Sequence, residues 1–199
     1  MNFWDQRYSE EGLAYGKDPN DFLKEQSKTF LKDGKILCLC EGEGRNAIFL
    51  AQLGFDVTAV DSSTVGLNKA QAWAQNLNLD IKTIVCDLND FSLGENQWDG
   101  IISIFGHLPP VLRKSVHEKI IKGLKPGGLY LFEAYTKEQL KFNSGGPKDE
   151  SMLLSEEIIK NDLNDLENVV TNKVEREIHE GKYHQGMSAV IQYLGRKSL

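Results

Sequence analysis

The clearest chemical pattern in this sequence is a pair of glycines and an alanine that follow a short apolar run. Gly42, Gly44 and Ala47 come after residues 36–40 with the spacing G-x-G-x-x-G/A. In this pattern the first glycine permits a sharp turn, the second lets a ligand approach bare backbone, and the third position permits close packing of a helix on a strand. The pattern predicts a ligand-binding loop between a strand and a helix.

A carboxylate stands where such loops hold a ribose. Asp61 follows the next apolar run, residues 56–60, and lies 19 residues beyond Gly42. A carboxylate at this position accepts hydrogen bonds from both hydroxyls of an adenosine ribose. The loop and Asp61 together indicate a ligand that contains adenosine, and they leave NAD and other adenosine cofactors open.

Two further carboxylates favour a cofactor without phosphate. Glu41 and Glu43 flank Gly42, and only Arg45 offsets them. Like charges about 4 Å apart repel by roughly 4 kcal/mol at an effective dielectric constant near 20, so the loop suits a pyrophosphate poorly. S-adenosylmethionine carries an ammonium group, a sulfonium and no phosphate, which suits an acidic loop. In the alternative interpretation, Glu41 caps the next helix and Glu43 points to solvent.

The elements that must position these residues alternate along the chain. From residue 34 onward, short β-type runs alternate with helical patterns, which predicts βαβ units around a mostly parallel sheet. The first run has no polar alternation, as expected for a strand covered on both faces. Strands are predicted at residues 36–40, 56–60, 81–86, 98–105 and 129–134, and helices at 45–53, 64–77 and 109–124.

The carboxy-terminal third of the sequence departs from this alternation of predicted strands and helices. Residues 144–150 form a polar loop rich in helix breakers, and residues 155–163 predict a short helix. Two long alternating runs follow, at 169–179 and 186–196. Their connection is short enough for a hairpin, so the two strands are expected to pair antiparallel.

Composition and charge limit the class of protein. The chain has 199 residues, 40% hydrophobic and 26% charged, which is ordinary for one globular domain. Its net charge is −6, and residues 36–110 carry 9 acidic and 3 basic side chains. Because there is no basic run, neither a nucleic-acid nor an anionic-membrane surface is expected. The longest apolar runs fall far short of the roughly 20 residues that span a bilayer.

The amino terminus and the cysteines favour a cytoplasmic protein. Residues 1–7 match neither a signal peptide nor a transit peptide. Cys38, Cys40 and Cys86 lie in apolar runs that look like buried strands, where cysteine behaves as a small hydrophobic residue. No second Cys or His pair lies near Cys38 and Cys40, so no metal site is expected.

Five segments resemble, in order and spacing, the motifs of the class I, Rossmann-like S-adenosylmethionine-dependent methyltransferases. They are residues 37–44, 57–61, 85–88, 98–104 and 124–131. The resemblance implies an α/β fold with a doubly wound seven-stranded sheet, mostly parallel, ending in an antiparallel carboxy-terminal hairpin. One departure is Asn46, which stands where many members have the third glycine of their acid-x-Gly-x-Gly-x-Gly pattern.

A narrower resemblance involves the amino terminus. Residues 4–8 and 15–22, with the loop 145–147, are similar to small bacterial methyltransferases related to the tellurite-resistance and thiopurine-methylating enzymes. From the length and composition, we expect a single methyltransferase domain over residues 1–199. Residues 1–33 would form cap or lid helices, 34–135 the cofactor-binding core, and 136–199 the substrate-side loop, helix and hairpin.

The family resemblance assigns roles to individual residues. Residues 41–44 would cradle the methionine part, with Glu41 near the ammonium group, while Asp61 would hold the ribose. The remaining cofactor residues would be Ser62 beside the adenine, Asp87 at its exocyclic amine, Leu88 against its ring, and Phe105 and Tyr15. Alternatively, Asp61 and Asp87 only cap a helix or turn, and Leu88 is a core residue.

On the substrate side, His107 is the best single candidate for a catalytic residue. It follows the fourth strand at the edge where ligands of open parallel sheets lie, and a histidine can take a proton from an acceptor near neutral pH. In the alternative interpretation it caps the next helix or shapes the pocket. Candidates for a wall or lid of the site are Tyr8, Tyr15 and Tyr135. Candidates for binding an anionic substrate are Arg7 and Arg113. The other histidines, His117, His179 and His184, show no pattern beyond surface or hairpin positions.

These observations predict a small-molecule methyltransferase with S-adenosylmethionine as cofactor. The methyl group would pass in line to a sulfur, oxygen, nitrogen or chalcogen acceptor, and an ionised acceptor would need no base. A monomer is expected, with no nucleic-acid or membrane partner. The alternatives are a cofactor-binding protein without catalysis, of regulatory function, and a short NAD-dependent oxidoreductase.

Overall fold

The computed structural model describes residues 2–199 and contains one seven-stranded sheet with the order β3-β2-β1-β4-β5-β7-β6. The strands are β1 Lys35–Leu39, β2 Asp56–Asp61, β3 Lys82–Val85, β4 Trp98–Ile104, β5 Leu124–Tyr135, β6 Leu166–Glu180 and β7 His184–Lys197. The helices are α1 Phe3–Tyr8, α2 Asp21–Gln26, α3 Arg45–Gln52, α4 Thr64–Asn76, α5 Pro110–Gly123 and α6 Glu156–Asp162. Single 3₁₀ turns occupy Ser27–Thr29, Lys137–Lys141 and Glu150–Met152.

The strand order reverses at β1. From β1 the chain crosses to β2 and β3 on one side, and β4 and β5 follow on the other, all of them parallel. β7 then runs antiparallel to β5, and β6 runs antiparallel to β7. The predicted fold class is confirmed, and the reversal places the carboxyl ends of β1 and β4 side by side, where ligands of such sheets bind.

Helices cover both faces of the sheet, which explains the unbroken apolar run of β1. Ile36 and Cys38 pack into one core cluster, whereas Leu37 and Leu39 pack into the cluster on the opposite face. Alternate residues of a strand point to opposite faces, so a strand buried on both sides needs apolar residues at every position.

Local signals determine where several helices begin and end. The hydroxyl oxygen of Ser63 accepts from the backbone N–H of Gly66 and caps α4. Pro110 lies in the first turn of α5, where its missing N–H costs nothing. Gly54 follows α3 with φ +91°, a left-handed conformation that glycine adopts without strain.

The third strand and its cysteine differ from the prediction. β3 has four residues, Lys82–Val85, and is only partly buried because it lies at the edge of the sheet. Cys86 falls outside this strand and is partly exposed, as is Cys40 after β1, so only Cys38 is a buried strand cysteine. No helix within residues 2–199 is long and apolar enough to span a bilayer.

Candidate functional site

The loop after β1 and the first residues of α3, which together we call the glycine loop (residues 40–47), contain three left-handed residues at alternate positions. These are Cys40 with φ +55°, Gly42 with φ +60° and Gly44 with φ +90°. Glycine adopts such angles freely, whereas a cysteine there is strained. The sequence marked two of these positions but not Cys40, since cysteine gives no signal for a left-handed turn.

Asp61 ties the end of β2 to the glycine loop. One carboxylate oxygen accepts from the backbone N–H of Gly42 at 2.9 Å, and the other accepts from the N–H of Ser63 at 2.8 Å. Burial raises the pKa of Asp61. Because a carboxylate has about four acceptor positions, these two bonds leave room for hydroxyl donors.

Glu41 caps α3, as its alternative interpretation predicted. Its buried Oε1 accepts from the backbone N–H groups of Asn46, at 3.0 Å, and Ala47, at 2.7 Å. Burial raises the pKa of Glu41 to about 7. Its second oxygen, Oε2, bonds to no group of residues 2–199, so a contact between that oxygen and an ammonium group stays a prediction.

Glu43 does not point to solvent, so that alternative is wrong. Its side chain is buried, with Oε2 accepting from the backbone N–H of Ala14 at 2.7 Å and Oε1 paired with Lys69 at 2.9 Å. Arg45 pairs outside the loop, with Glu180. Since Lys69 neutralises Glu43, the repulsion of phosphate by the loop is weaker than the sequence suggested.

The predicted adenine-side residues lie near the end of β3. Asp87 is exposed, and its Oδ1 accepts from the backbone N–H of Asn89 at 2.8 Å, which stabilises a turn. Leu88 is buried in the core cluster of the α5 face. Ser62 is partly exposed between Asp61 and the cap of α4. These contacts match the alternative interpretations, in which Asp87 stabilises a turn and Leu88 is a core residue. Binding of adenine by these residues stays a prediction.

The acceptor groups at this edge fit an adenosine cofactor. Asp61 has unused acceptor positions beside a loop of bare glycine backbone, and the exposed carboxylate of Asp87 makes one bond through its Oδ1. Ribose hydroxyls and an adenine amine are donors that match such carboxylates. These residues would hold the nucleoside, and the bound cofactor would supply a methyl group on a cationic sulfur.

Five rings form what we call the aromatic cluster at the carboxyl ends of β4 and β5. The ring centre of Phe105 lies 4.6 Å from that of Tyr135 and 4.6 Å from that of His184. Tyr15 lies 4.5 Å from His184, and His107 lies 5.4 Å from Tyr135. The structure therefore brings together residues that stand up to 169 positions apart in the sequence.

His107 belongs to this cluster but has no free nitrogen for a general base. Its Nδ1 lies 3.0 Å from the carbonyl oxygen of Phe105, to which it donates, and its Nε2 accepts from the backbone N–H of Tyr135 at 2.9 Å. Desolvation lowers the pKa of His107 to about 4. The predicted base role is therefore not supported by this geometry, which matches the alternative that His107 shapes the pocket.

His184, which the sequence placed only in the hairpin, is the histidine that the structure brings into the site. It is 7% exposed, and its Nδ1 lies 3.4 Å from Oε2 of Glu180. Its position was missed because a histidine beside a hairpin turn resembles any solvated polar residue. The alternating pattern of β7 could have suggested an inward side chain for it.

A network of buried charges supports Glu180. Arg45 donates to Oε2 of Glu180 at 2.6 Å, and Asn20 donates to Oε1 at 3.1 Å. Burial alone would raise the pKa of Glu180, but His184 and Arg45 lower it to about 2. A neighbouring pair joins Arg176 to the fully buried Glu133 at 2.6 Å. The network links the start of α3, the amino-terminal segment and the hairpin.

The amino-terminal segment lies over the glycine loop. Tyr8 contacts Gly42 so closely that a Cβ atom added to this glycine would clash with the hydroxyl oxygen of Tyr8. Asn46, in the first turn of α3, accepts from the backbone N–H of Asn20 through its side chain. Lys182 of the hairpin turn donates its backbone N–H to Ala14 at 2.8 Å.

The loop at residues 144–150 packs on the aromatic cluster from the other side. A Cβ atom added to Gly146 would lie 2.6 Å from the ring of Tyr135, and one added to Gly145 would lie 2.7 Å from the ring of His184. Ser144 bonds to the carbonyl oxygen of Met187 and anchors this loop to β7. The predicted cap segment therefore lies over the glycine loop, and the predicted substrate-side loop lies on the aromatic cluster.

The remaining basic candidates lie in two places, beside the aromatic cluster and between α5 and α6. Arg7 donates to the hydroxyl of Tyr15 at 3.2 Å and so borders the aromatic cluster. Arg113 instead pairs with Asp162 at 3.0 Å, between α5 and α6. His117 is buried beside that pair, which corrects its predicted surface position.

Comparison with known proteins agrees with this geometry. A family model described as a methyltransferase domain matches residues 36–128. These residues include the glycine loop, Asp61 and β4, inside a seven-stranded sheet of the expected order. Residues 36–128 therefore match a methyltransferase domain and are similar to class I methyltransferases that use S-adenosylmethionine.

Two curated methyltransferases are similar in sequence. The 2-heptyl-1-hydroxyquinolin-4(1H)-one methyltransferase of Mycobacteroides abscessus is 26% identical over 67% of this chain and 60% of its own length. The probable S-adenosyl-L-methionine-dependent methyltransferase TehB of Haemophilus influenzae is 33% identical over 46% of this chain and 31% of its own. The chain thus spans less than two thirds of these relatives.

Two solved structures are similar in fold. The crystal structure of TehB from Haemophilus influenzae superposes with a TM-score of 0.72 and 22% identity, over 98% of this chain and 66% of that one. A structure described with the conversion of a disulfide bond into a thioacetal group during echinomycin biosynthesis has a TM-score of 0.79 and 14% identity, over 98% and 88% of the two chains. The TehB similarities support the narrower resemblance to small bacterial methyltransferases.

Proposed function

We propose that this protein transfers the methyl group of S-adenosylmethionine to a small-molecule acceptor. The observation that carries the proposal is the proximity of the glycine loop to Gly106, which lies between two residues of the aromatic cluster. A Cβ atom added to Gly106, between Phe105 and His107, would lie 3.0 Å from the sulfur of Cys40 in the loop. A cofactor on the loop would therefore present its methyl group beside the cluster, where an acceptor would pack against the rings.

The cofactor residues keep their predicted roles, with one change. We propose that Asp61 binds the ribose, that Ser62, Asp87 and Leu88 surround the adenine, and that Glu41 meets the ammonium group through its free oxygen. Glu43 acts indirectly, because both of its oxygens already hold Ala14 and Lys69. The glycines at 42 and 44 supply the bare backbone of the loop.

Phe105 and Tyr15 lie between the cofactor and the acceptor in this arrangement. Both belong to the aromatic cluster, and Phe105 has the left-handed φ of +53° at the end of β4. Aromatic walls favour a flat, largely apolar acceptor. The Mycobacteroides abscessus relative is named for a hydroxyquinolinone, which is such a molecule, and this makes hydroxylated heteroaromatics the first acceptors to test.

Calorimetry tests cofactor choice directly. The protein is titrated separately with S-adenosylmethionine, S-adenosylhomocysteine and NAD, with the variant Asp61→Asn as the site control and Asp56→Asn, at the exposed start of the same strand, as the matched control. We expect binding of the first two ligands, weakening in Asp61→Asn and no change in Asp56→Asn. Binding of NAD alone would refute the proposal in favour of the oxidoreductase.

Turnover separates an enzyme from a protein that only binds the cofactor. Transfer of a labelled methyl group is measured across phenols, hydroxylated heteroaromatics, thiols and amines. We expect transfer to at least one class. Tight cofactor binding without transfer to any class would favour the non-catalytic alternative.

A further inference from the structure

We propose that His184 is the general base of the methyl transfer and that the acceptor is an aromatic hydroxyl compound, whose proton His184 removes. This inference rests on the proposed function. It assigns the catalytic group to the turn of the hairpin, outside the residues 36–128 that match the family model.

The two ring nitrogens of His184 have different surroundings. Nδ1 faces the carboxylate of Glu180 at 3.4 Å, whereas Nε2 bonds to no group of residues 2–199. A carboxylate beside Nδ1 favours the tautomer with its proton on that nitrogen and leaves a lone pair on Nε2. The neighbouring His107 has both nitrogens bonded to backbone, so only His184 has a nitrogen available in the aromatic cluster.

His184 packs against one ring near the glycine loop and against one ring of the amino-terminal segment. Phe105, 4.6 Å away, precedes Gly106, where an added Cβ atom would lie 3.0 Å from the sulfur of Cys40 in the glycine loop. Tyr15, 4.5 Å away on the other side, lies 6.3 Å from Tyr8, which covers Gly42. A flat acceptor packed against these rings would bring its hydroxyl within reach of Nε2 and of the methyl group.

Burial keeps His184 neutral near pH 7. Desolvation lowers the pKa of His184 below its usual value, and Arg45 and Arg7 act in the same direction, while Glu180 opposes them. A neutral imidazole is the form that accepts a proton. The titratable or charged groups that face it are Glu180 from β6, Arg45 from α3, Arg7 from α1, Tyr15 from the amino-terminal segment, His107 from the end of β4 and Tyr135 from β5.

The reaction balances with these groups alone. The acceptor oxygen forms a bond to the methyl carbon while the carbon–sulfur bond breaks, and its electron pair stays on sulfur. The acceptor proton moves to Nε2, and the imidazolium that forms is stabilised by the carboxylate of Glu180. His184 then releases the proton to water.

Glu180 is a positioning residue in this scheme. Arg45 and Asn20 hold its two oxygens, so its carboxylate stays ionised and aimed at Nδ1. The scheme predicts an acceptor that carries a proton at pH 7. A thiolate, which is already ionised, would not need His184.

The main test compares His184→Gln with His179→Gln, an exposed histidine on the same hairpin. The acceptors are phenols and hydroxylated heteroaromatics in one arm and thiophenols, which ionise near neutral pH, in the other. We expect His184→Gln to lower kcat/KM for hydroxyl acceptors by about 100-fold or more, while transfer to thiophenols changes by less than about threefold. His179→Gln should behave as the wild type in both arms.

Two measurements keep the test informative if the variant is impaired in folding. Calorimetry with S-adenosylhomocysteine should give a Kd within about twofold of wild type for His184→Gln, since the base does not hold the nucleoside. Nitrogen NMR of the wild-type histidines should show His184 protonated on Nδ1 and titrating below its usual pKa. In the wild type, kcat/KM for hydroxyl acceptors should be full above that pKa and fall as the pH drops below it.

The outcomes separate this inference from the proposed function. Failure to bind S-adenosylhomocysteine refutes the proposed function and the inference with it. If the cofactor binds, any one of three results refutes the inference alone. These results are unchanged hydroxyl transfer in His184→Gln, no transfer to any hydroxyl acceptor in the wild type, and a proton on Nε2 of His184 in the protein without acceptor.

Discussion

The glycine loop and the hairpin turn face the same edge of the sheet, but they hold their carboxylates in different ways. In the loop, Glu41 bonds to backbone N–H groups five and six residues away, and Asp61 bonds to one 19 residues away. At the hairpin turn, Glu180 pairs with Arg45, which is 135 residues away. Glu41 and Asp61 are thus stabilised by backbone dipoles, whereas Glu180 is stabilised by a distant full charge, as Glu43 is by Lys69.

This difference predicts different responses to mutation and pH. Local dipoles depend on the path of the backbone, so the loop should be sensitive to backbone changes. A buried ion pair depends on both partners, and removing one leaves the other uncompensated. We therefore expect the glycine loop to be most sensitive to substitution of its glycines, and the hairpin turn to be most sensitive to removal of a charged side chain.

The largest expected effect is in the glycine loop. Gly44→Val should abolish measurable cofactor binding, a loss of about 100-fold or more, because even its Cβ atom would lie 2.6 Å from Ala70 at φ +90°. Calorimetry with S-adenosylhomocysteine measures it. The matched control is Gly54→Ala, with φ +91° but only Asp33 within 3.7 Å, which should lose stability and keep binding. An equal loss of cofactor binding in both variants would contradict the expectation that the glycine loop is the more sensitive position.

The next effect is on stability at the hairpin turn. Arg45→Met should lower the free energy of unfolding by about 3–5 kcal/mol, because it leaves the buried carboxylate of Glu180 without its nearest cation. Lys137→Met, which breaks an exposed pair with Glu150, should cost about 1 kcal/mol or less. Chemical denaturation of both variants checks this. Similar losses would mean that burial does not distinguish the two pairs.

The smallest effects concern pH, and they have opposite signs in the two regions. The pKa of Glu180 is lowered from 4.5 to about 2, so its stabilisation is complete above pH 4.5 and is lost as the pH falls toward 2. The pKa of Glu41 is raised from 4.5 to about 7, so the folded state loses stability as the pH rises from 4.5 to 7.

The substitution Glu41→Gln isolates the second of these contributions. It should remove a fall of about 3 kcal/mol in the free energy of unfolding between pH 4.5 and 7. Glu177→Gln, at an exposed site of the hairpin, serves as the control and should leave the pH dependence as in the wild type. Denaturation at several pH values measures both, and an unchanged profile in Glu41→Gln would contradict the assigned cause.

Much of the fold could be predicted because its signals are local. The apolar run of β1, the proline at the start of α5 and the alternating runs of β6 and β7 each predicted an element that the structure contains. The edge strand β3 was predicted too long, since a periodic pattern does not show which strand lacks a neighbour. Cys86 was misplaced for the same reason.

The candidate site was only partly predictable. Gly42, Gly44 and Asp61 could be found because their spacing along the chain reflects one local turn. His184 could not, since its importance comes from Phe105 and Tyr15, which reach it through the fold. His107 was placed correctly at the end of β4, but its proposed base role depended on hydrogen bonds that no spacing encodes.

The sequence by itself determined the order of strands and helices, the glycine loop and the family to which the chain is similar. These depend on hydrophobic periodicity and backbone freedom, which are properties of short segments. The tertiary structure decided which charges are neutralised and which histidine has a free nitrogen. Burial and pairing depend on segments far apart in the sequence, so Lys69 cancels the charge of Glu43, and Glu180 meets both Arg45 and His184 only in the folded chain.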